Sequence, residues 1–557
     1  MGAPARAAAA LDGSPFGPIV AETVAAERRD ASRGNRALAL GGGYDALLLR
    51  VHLIRQATTS IEVQTFIWSN DEVGRLVMYE LIAAAKRGVK VRIIADQMFS
   101  EQDPATVAFL ATVSPNLELK HYRPAMTRLK PSRLQLLLAG LFSFRDVNQR
   151  MHNKVMIFDD RVLITGGRNI ENTYYDHSTG LNYRDRDVVL VGPAVRDAVE
   201  SFKDFWGYRH AVASRELVDV SALIARGDYR RYEQRDDWDF GGYFEALTNA
   251  ADDPSVIAGR FTSRLQPVER AVFLSDLPGK SGGKFSKTAR ITRQLRETLT
   301  QATDCVTVQT PYLVLSDPAQ ELIAEMKQRS PALVIRVSTN SFASTDNLAA
   351  YSANYRLRGT YIERLELEVH EFKPKPASLT QIFPQYSLMA TRARMRLPSG
   401  TPPPFLSLHA KSLVVDDRLA FIGSYNLDPR SENLNTEVGL LVEDPVFARA
   451  LREEIDRDMR AENSWVIARR QMPLQLEAVN GAIDGLLSLG PIDVWPIQNT
   501  SSFELKAGAA EVKPADPAFY ESYREAGSFP GTQQRLSTKE ILTRLYKAVG
   551  TPITPIL

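Results

Sequence analysis

The sequence has one cysteine, Cys305, and only seven histidines in 557 residues. A lone thiol excludes an internal disulfide framework and any zinc site built on paired thiolates, and it suits a reducing compartment. Long apolar runs are also missing: no uninterrupted stretch approaches the roughly 18–20 residues that span a bilayer. The opening stretch MGAPARAAAALDGSPFGPIV holds a short apolar run over 7–11 before Asp12, too short for a signal-peptide core. Arg6 stands where a myristoylation motif has Ser or Thr. Nor is there an excess of charge of one sign, since 68 Lys and Arg face 66 Asp and Glu for a net +2. That balance supplies no global attraction to nucleic acid or to an acidic membrane, so any basic footprint must be local. The chain is expected to be soluble or peripheral to a membrane.

What is present is a well-folding composition, 44% apolar and 24% charged, long enough for two to four domains. Within it, MHNKVMIFDDRVLITGGRNI (151–170) and LHAKSLVVDDRLAFIGSYNLDPRS (408–431) share one pattern. His152, Lys154 and Asp159 stand as H-x-K-x-x-x-x-D, and so do His409, Lys411 and Asp416. Asn169 and Asn426 each lie 17 residues beyond their histidine. Read singly, either segment is an ordinary pair of buried strands with a tight turn. With seven histidines and 17 lysines in the chain, two matching copies do not arise by chance.

The repeat extends outward. SIEVQTFIW (60–68) and CVTVQTPYL (305–313) alternate like strands and share V-Q-T; each precedes a helical pattern, over 73–88 and 318–330. Further strands follow from Val89 and Leu333, and LELKHYRP and LELEVHEFKP occupy equivalent places. A β-α-β-α-β order that appears twice predicts an α/β layered fold in two similar halves. The expected division is an N-terminal extension over 1–45, a first half over 46–219, a linker over 220–285, a second half over 286–461, and an irregular tail over 462–557 packed on the second half. The Gly-rich LPGKSGGKFS (277–286) lacks phosphate-loop spacing and reads as linker.

A strand with His and Lys two residues apart points both side chains to one face. Two such pairs on pseudo-symmetric halves can meet across one cleft. No metal-ligand spacing accompanies them, and two lysines repel a cation, so neither metal nor cofactor is expected. Lys154, Lys411, Asn169 and Asn426 suit the non-bridging oxygens of a phosphodiester, while one histidine attacks phosphorus and the other protonates the departing oxygen. A nucleophilic imidazole is helped by a carboxylate on its other nitrogen. Glu437 is the candidate orienter in the second half, and Asp187 in the first, with Asp185 as alternative. Asp159 and Asp416 fall on the opposite strand face from their histidines, which favours a turn or ion-pair role.

On these residues the sequence resembles the phospholipase D superfamily, marked by the duplicated H-x-K-x-x-x-x-D motif. SIEVQTFIW, GSYNLDPRSENLNTE and STNSFASTDN look most like bacterial cardiolipin synthases of the C type. The resemblance implies two α/β/α sandwich halves in one bilobed unit, a phosphohistidine intermediate, His152 as nucleophile and His409 as acid and base. It implies a phospholipid donor and phosphatidylglycerol as acceptor, giving cardiolipin, with phosphatidylethanolamine as a possible second phospholipid. A monomer, peripheral on the cytoplasmic face of a bacterial inner membrane and without nucleic acid, is the expectation. The second copy has Ser424 where the first has Gly167, so the halves are inequivalent if that hydroxyl bonds.

The basic and apolar segment over 121–150 fits an interfacial helix or a buried one, and LLSLGPIDVWPI (486–497) is a second candidate. Three alternatives compete with transfer: a hydrolytic phospholipase D releasing phosphatidic acid, a nuclease of the same superfamily, and a noncatalytic lipid-binding module. Near-neutral charge weighs against the nuclease, and two intact motifs weigh against the module.

Overall fold

The computed structural model describes residues 11–29, 34–98, 100, 103–124, 127–130, 148–240, 243–280, 287–471 and 499–532. Two large sheets organise them. The strands of the first half are β1 (Arg36–Leu40), β2 (Ser60–Thr65), β3 (Lys90–Asp96), β4 (Leu117–Tyr122), β5 (Val155–Phe158), β6 (Val162–Gly166), β7 (Leu181–Arg184), β8 (Asp187–Val191), β9 (Ala211–Ala213) and β10 (Gln266–Pro267). Those of the second are β11 (Arg270–Ser275), β12 (Cys305–Gln309), β13 (Val334–Asn340), β14 (Glu368–Phe372), β15 (Phe405–Leu408), β16 (Ser412–Val415), β17 (Leu419–Gly423), β18 (Val438–Glu443), β19 (Ser464–Arg469), β20 (Thr500–Leu505) and β21 (Tyr523–Gly527).

The first sheet runs β10-β1-β8-β6-β5-β2-β3-β4-β9, and the second β11-β18-β17-β16-β12-β13-β14-β19-β20-β21. In each, three central strands are parallel (β2-β3-β4 and β12-β13-β14) and the motif hairpin (β5-β6 and β16-β17) joins antiparallel. The repeat read from the sequence is thus a repeat of topology. Sheet membership crosses the boundaries read from composition. β1 comes from the N-terminal extension, β10 and β11 come from the linker, and β19, β20 and β21 come from the tail read as irregular. The tail's alternating S-S-F-E-L is a short strand signal among prolines, yet it pairs with β19 in register.

The outer faces carry the connecting helices. Helix Glu72–Lys86 starts where the Asp71 carboxylate accepts from Gly74 N, and its repeat partner Asp317–Arg329 starts where Ser316 accepts from Ala319 N. Their apolar stripes cover Ile61 and Val63 in the first half and Val306 and Val308 in the second. Between the sheets lies one shared core. Helices Val195–Trp206 and Pro445–Met459 contribute Phe202, Phe205, Phe447, Leu451 and Ile455, packed with Ile157, Leu163, Val188, Val414, Ile422 and Leu440. Because side chains alternate along each strand, β16 sends Val414 to this middle layer and Leu413 and Val415 to the outer one. The two halves therefore bury one continuous apolar layer and form a single bilobed unit.

The apolar run in 131–147 and the segment 486–497, the two candidates for membrane contact or internal packing, lie outside the described residues. Among the described residues, no helix is long and apolar enough to cross a membrane.

Candidate active site

Each H-x-K motif is held by the other half. The residues before His409 form β15, which pairs in parallel with β7 of the first half, and the His409 amide donates to the Arg184 carbonyl at 2.9 Å. Symmetrically, Met151 bridges Thr436 of the second half, and the His152 amide donates to the Thr436 carbonyl at 3.0 Å. Those crossings deliver a carboxylate from the opposite half to each imidazole. His152 Nδ1 lies 2.8 Å from Glu437 Oε2, and His409 Nδ1 lies 2.7 Å from Asp185 Oδ2. Each lysine folds back to donate to its own histidine's carbonyl, Lys154 at 2.8 Å and Lys411 at 2.5 Å. Lys411 Nζ also stands 3.2 Å from His409 Nε2. All six side chains are buried.

This corrects two expectations. Glu437 serves the first-half His152 and not its sequence neighbour His409. Asp187 touches neither imidazole; Asp185 takes that position. The register explains it, since Gly166 pairs with Asp187 on β8 and Gly423 pairs with Gly439 on β18. Asp187 is therefore the counterpart of Gly439, and Asp185 that of Glu437. Asp187 is fully buried between two guanidiniums, Arg50 at 2.9 Å and Arg168 at 3.3 Å. Removing one partner of a buried ion pair leaves uncompensated charge, so Asp187→Ala is expected to destabilise the protein by about 3–5 kcal/mol in urea unfolding. A loss below about 1 kcal/mol would count against that role.

Asp159 and Asp416 face away from the imidazoles and tie down the strands that flank the motifs. Asp159 accepts from the amides of Thr58, Thr59 and Ser60, and Asp416 from those of Thr303, Asp304 and Cys305. Both sit at positive φ, 52° and 50°, a conformation that Asp tolerates better than most residues. Of the two roles expected for them, the turn and its backbone amides fit these contacts; neither forms an ion pair among the described residues.

The two asparagines differ. Asn169 accepts from Ile67 N at 3.2 Å and donates to the Tyr174 hydroxyl at 2.8 Å, whereas Asn426 Oδ1 is buried with no hydrogen-bond partner. Ser424 resolves the Gly167 discrepancy: its hydroxyl donates to Glu437 Oε2 at 2.5 Å. A Cβ at Gly167 would stand 2.1 Å from Asp185 Oδ1, so only glycine leaves that carboxylate its place.

Several contributors carried no sequence signal of their own. Phe66 meets His152 edge-on at 4.8 Å and lies 5.0 Å from Lys154 Nζ. Tyr174 and Tyr183 pack on His409 at 5.1 and 4.7 Å. Lys280, from the Gly-rich stretch read as linker, is fully buried; it donates to Asp276, whose carboxylate accepts from the Glu437 amide at 3.1 Å.

Electrostatics separate the two imidazoles. Burial, then the charges of Lys154, Lys411 and His409, hold His152 well below the usual imidazole value. His409 is lowered less, because Asp185 works against burial and Lys411. Burial raises Glu437 to about 7 against the pull of Lys154 and Ser424. Burial would also raise Asp185, but His409 and Lys411 more than reverse it and hold it at about 2. Burial lowers Lys411 to about 8 and drives Lys154 well down too. The site can thus present one neutral imidazole, one imidazole braced by an ionised carboxylate, and two buried lysines whose ammonium forms a bound anion favours.

A profile of the family described as "Cardiolipin synthase, PLD-like domain" matches residues 51–206 and 295–459. The chain belongs to the phospholipase D-like family. The two matched stretches of this phospholipase D-like protein fall one in each half, and each contains one motif. It is 29% identical to cardiolipin synthase C of Escherichia coli strain K12, over 73% of this chain and 81% of that protein. It is 30% identical to an uncharacterized protein of Helicobacter pylori strain J99, over 81% of this chain and 84% of that one. In fold it resembles the crystal structure of phosphatidylserine synthase from Haemophilus influenzae Rd KW20, with a TM-score of 0.51 at 16% identity, covering 84% of this chain and 96% of that one.

Proposed function

We propose that this phospholipase D-like protein is a metal-independent phosphatidyltransferase that makes cardiolipin from phosphatidylglycerol and a second phospholipid. The observation that carries the reading is the pair of imidazoles, each with Nδ1 on a carboxylate of the opposite half and a buried lysine beside it. His152, the more strongly neutral of the two, attacks phosphorus through Nε2, and the P–O bond to the donor's head group breaks. His409, braced by ionised Asp185, gives its Nε2 proton to the departing oxygen. The lysines and Asn426 stabilise the charge that builds on the non-bridging oxygens. In the second step His409 takes the proton from the acceptor hydroxyl, whose oxygen displaces Nε2 from phosphorus. The two lysines, whose ammonium forms the bound anion favours, supply the positive charge a metal would otherwise bring. The names of the cardiolipin synthase relatives support the substrate class, and a phospholipid substrate calls for a peripheral position on a membrane, on the cytoplasmic side for a chain of this cysteine usage.

The test is incubation of the purified protein with phosphatidylglycerol vesicles, with and without phosphatidylethanolamine and EDTA, followed by mass spectrometry. Cardiolipin is the expected product in all arms. Phosphatidic acid as sole product would replace transfer by hydrolysis, and loss of turnover in EDTA would refute metal independence.

A further inference from the structure

The second half contains an apolar cavity of about 110 Å³ between its sheet and the helices Arg290–Leu299 and Asp317–Arg329. Leu295, Leu322, Met326 and Val337 form its walls, and Lys411 and Thr310 line it too. It lies on the outer face of the sheet, the face to which Lys411 belongs by alternation with Leu413 and Val415. At its edge stand Thr292, exposed Arg296 and half-buried Glu432. The cavity and the phosphodiester site thus share a wall at Lys411.

The internal repeat supplies a control. Superposing Val63-Gln64-Thr65 on Val308-Gln309-Thr310 places Leu47, Val51 and Trp68 at the positions of Thr292, Arg296 and Leu313. For Trp68 and Leu313 the equivalence is structural, because Trp68 bridges Ile170 as Leu313 bridges Leu427. Leu47 and Val51 are fully buried, and Trp68 is packed in the core with Nε1 donating to Gly74 O at 3.2 Å. A Cβ at Gly74 would meet the Ser69 carbonyl oxygen at 1.9 Å and come 3.3 Å from Trp68 Nε1, so glycine holds this place beside the ring. The second half has Ala319 at this place. The same scaffold is filled by a tryptophan and closed by aliphatic residues in one half, and in the other is left hollow behind Leu313, with a threonine and an arginine at the rim.

We propose that this cavity seats one fatty acyl chain of the phospholipid whose phosphodiester lies against Lys411. Its size holds several carbons, by comparison with an engineered apolar cavity of about 150 Å³ that binds benzene. The carbons held are those nearest the glycerol, and the rest of the chain extends past the Thr292–Arg296 rim toward the lipid surface. The proposal rests on the phosphatidyl-transfer reading for its choice of ligand.

The test compares the full-length parent with Leu313→Trp/Ala319→Gly, which installs the first-half filling, and with Val337→Phe, which fills the cavity from the sheet. Two substrates are used: dioleoylphosphatidylglycerol in vesicles, and bis(4-nitrophenyl) phosphate, which has no acyl chain. Both variants are expected to lose at least tenfold in kcat/KM on the lipid and to stay within twofold of the parent on the soluble diester. Phosphatidylglycerol carrying a diazirine near the acyl ester should label 290–299 or 317–329 in the parent and not in the variants. Parental lipid kinetics in both variants, equal loss on both substrates, or label elsewhere in an enzyme that turns over lipid would overturn the seat and leave the transfer reading standing. Label at the cavity in a parent that turns over no phospholipid would sustain the seat and sink the transfer reading.

Discussion

His152→Ala and His409→Ala are each expected to lower cardiolipin formation by at least about 10⁴-fold, equivalent to roughly 5.5 kcal/mol of transition-state stabilisation. The double variant should lose little more than either single one, because the two imidazoles act on one phosphorus as a unit. Neither change should unfold the protein. Without His152, Glu437 has Ser424 as partner and, at about 7, takes up a proton instead of standing as a buried charge. Without His409, Asp185 keeps the Arg186 amide at 2.7 Å. The roles separate with a substrate whose head group is 4-nitrophenol, which departs without being protonated. On that substrate His409→Ala should recover a stoichiometric burst of 4-nitrophenolate with a phosphatidyl group left on His152, detectable by intact-protein mass spectrometry. His152→Ala should give none. The reverse pattern would exchange the two roles, and near-parental turnover in either variant would overturn the two-histidine assignment.

Much of this arrangement could be read from the chain because strand periodicity is local. The H-x-K spacing alone places His152 with Lys154 and His409 with Lys411, and the doubled V-Q-T strands announce the doubled sheet. The carboxylate pairing was not local. Glu437 lies closer in sequence to His409 than to His152, yet the parallel crossings at Met151–Thr436 and β7–β15 exchange the partners. Such a crossing is a property of how two halves dock, which no single-half pattern encodes. The choice between Asp185 and Asp187 failed for a related reason: residues two apart share a face, so alternation cannot separate them. Only the ladder, by pairing Asp187 with Gly166, shows that it lies one step inside the sheet among Arg50 and Arg168. The tryptophan that fills one half and the leucine that leaves the other hollow stood in the aligned strands throughout, but a packing difference has meaning only once both cores are built.

The exchanged carboxylates should be visible as a pH profile. Glu437, raised by burial to about 7, must be ionised to accept from His152 Nδ1 and leave Nε2 free for attack. Lys411, lowered by burial to about 8, must keep its proton to hold the anion. On the 4-nitrophenol substrate, which asks no proton of His409, the free-enzyme profile of kcat/KM should therefore rise with pH through about 7 as Glu437 loses its proton, and fall above about 8 as Lys411 does. Glu437→Gln keeps a hydrogen-bond acceptor beside His152 but removes the charge; by analogy with the buried aspartate of a serine-protease triad, it should cost roughly 10³–10⁴-fold and abolish the acid limb. Asp185→Asn should cost a comparable factor on phosphatidylglycerol by withdrawing the charge that supports protonated His409, yet leave the acid limb in place on the 4-nitrophenol substrate, because Asp185 titrates near 2, below the measured range. An acid limb that survives Glu437→Gln, or vanishes in Asp185→Asn, would mean that the carboxylates serve the histidines in some order other than the one the geometry assigns. If the acid limb responds as expected in the two variants, the two halves cannot be separate catalysts: each histidine works only with a carboxylate that the other half supplies, so neither half can turn over alone.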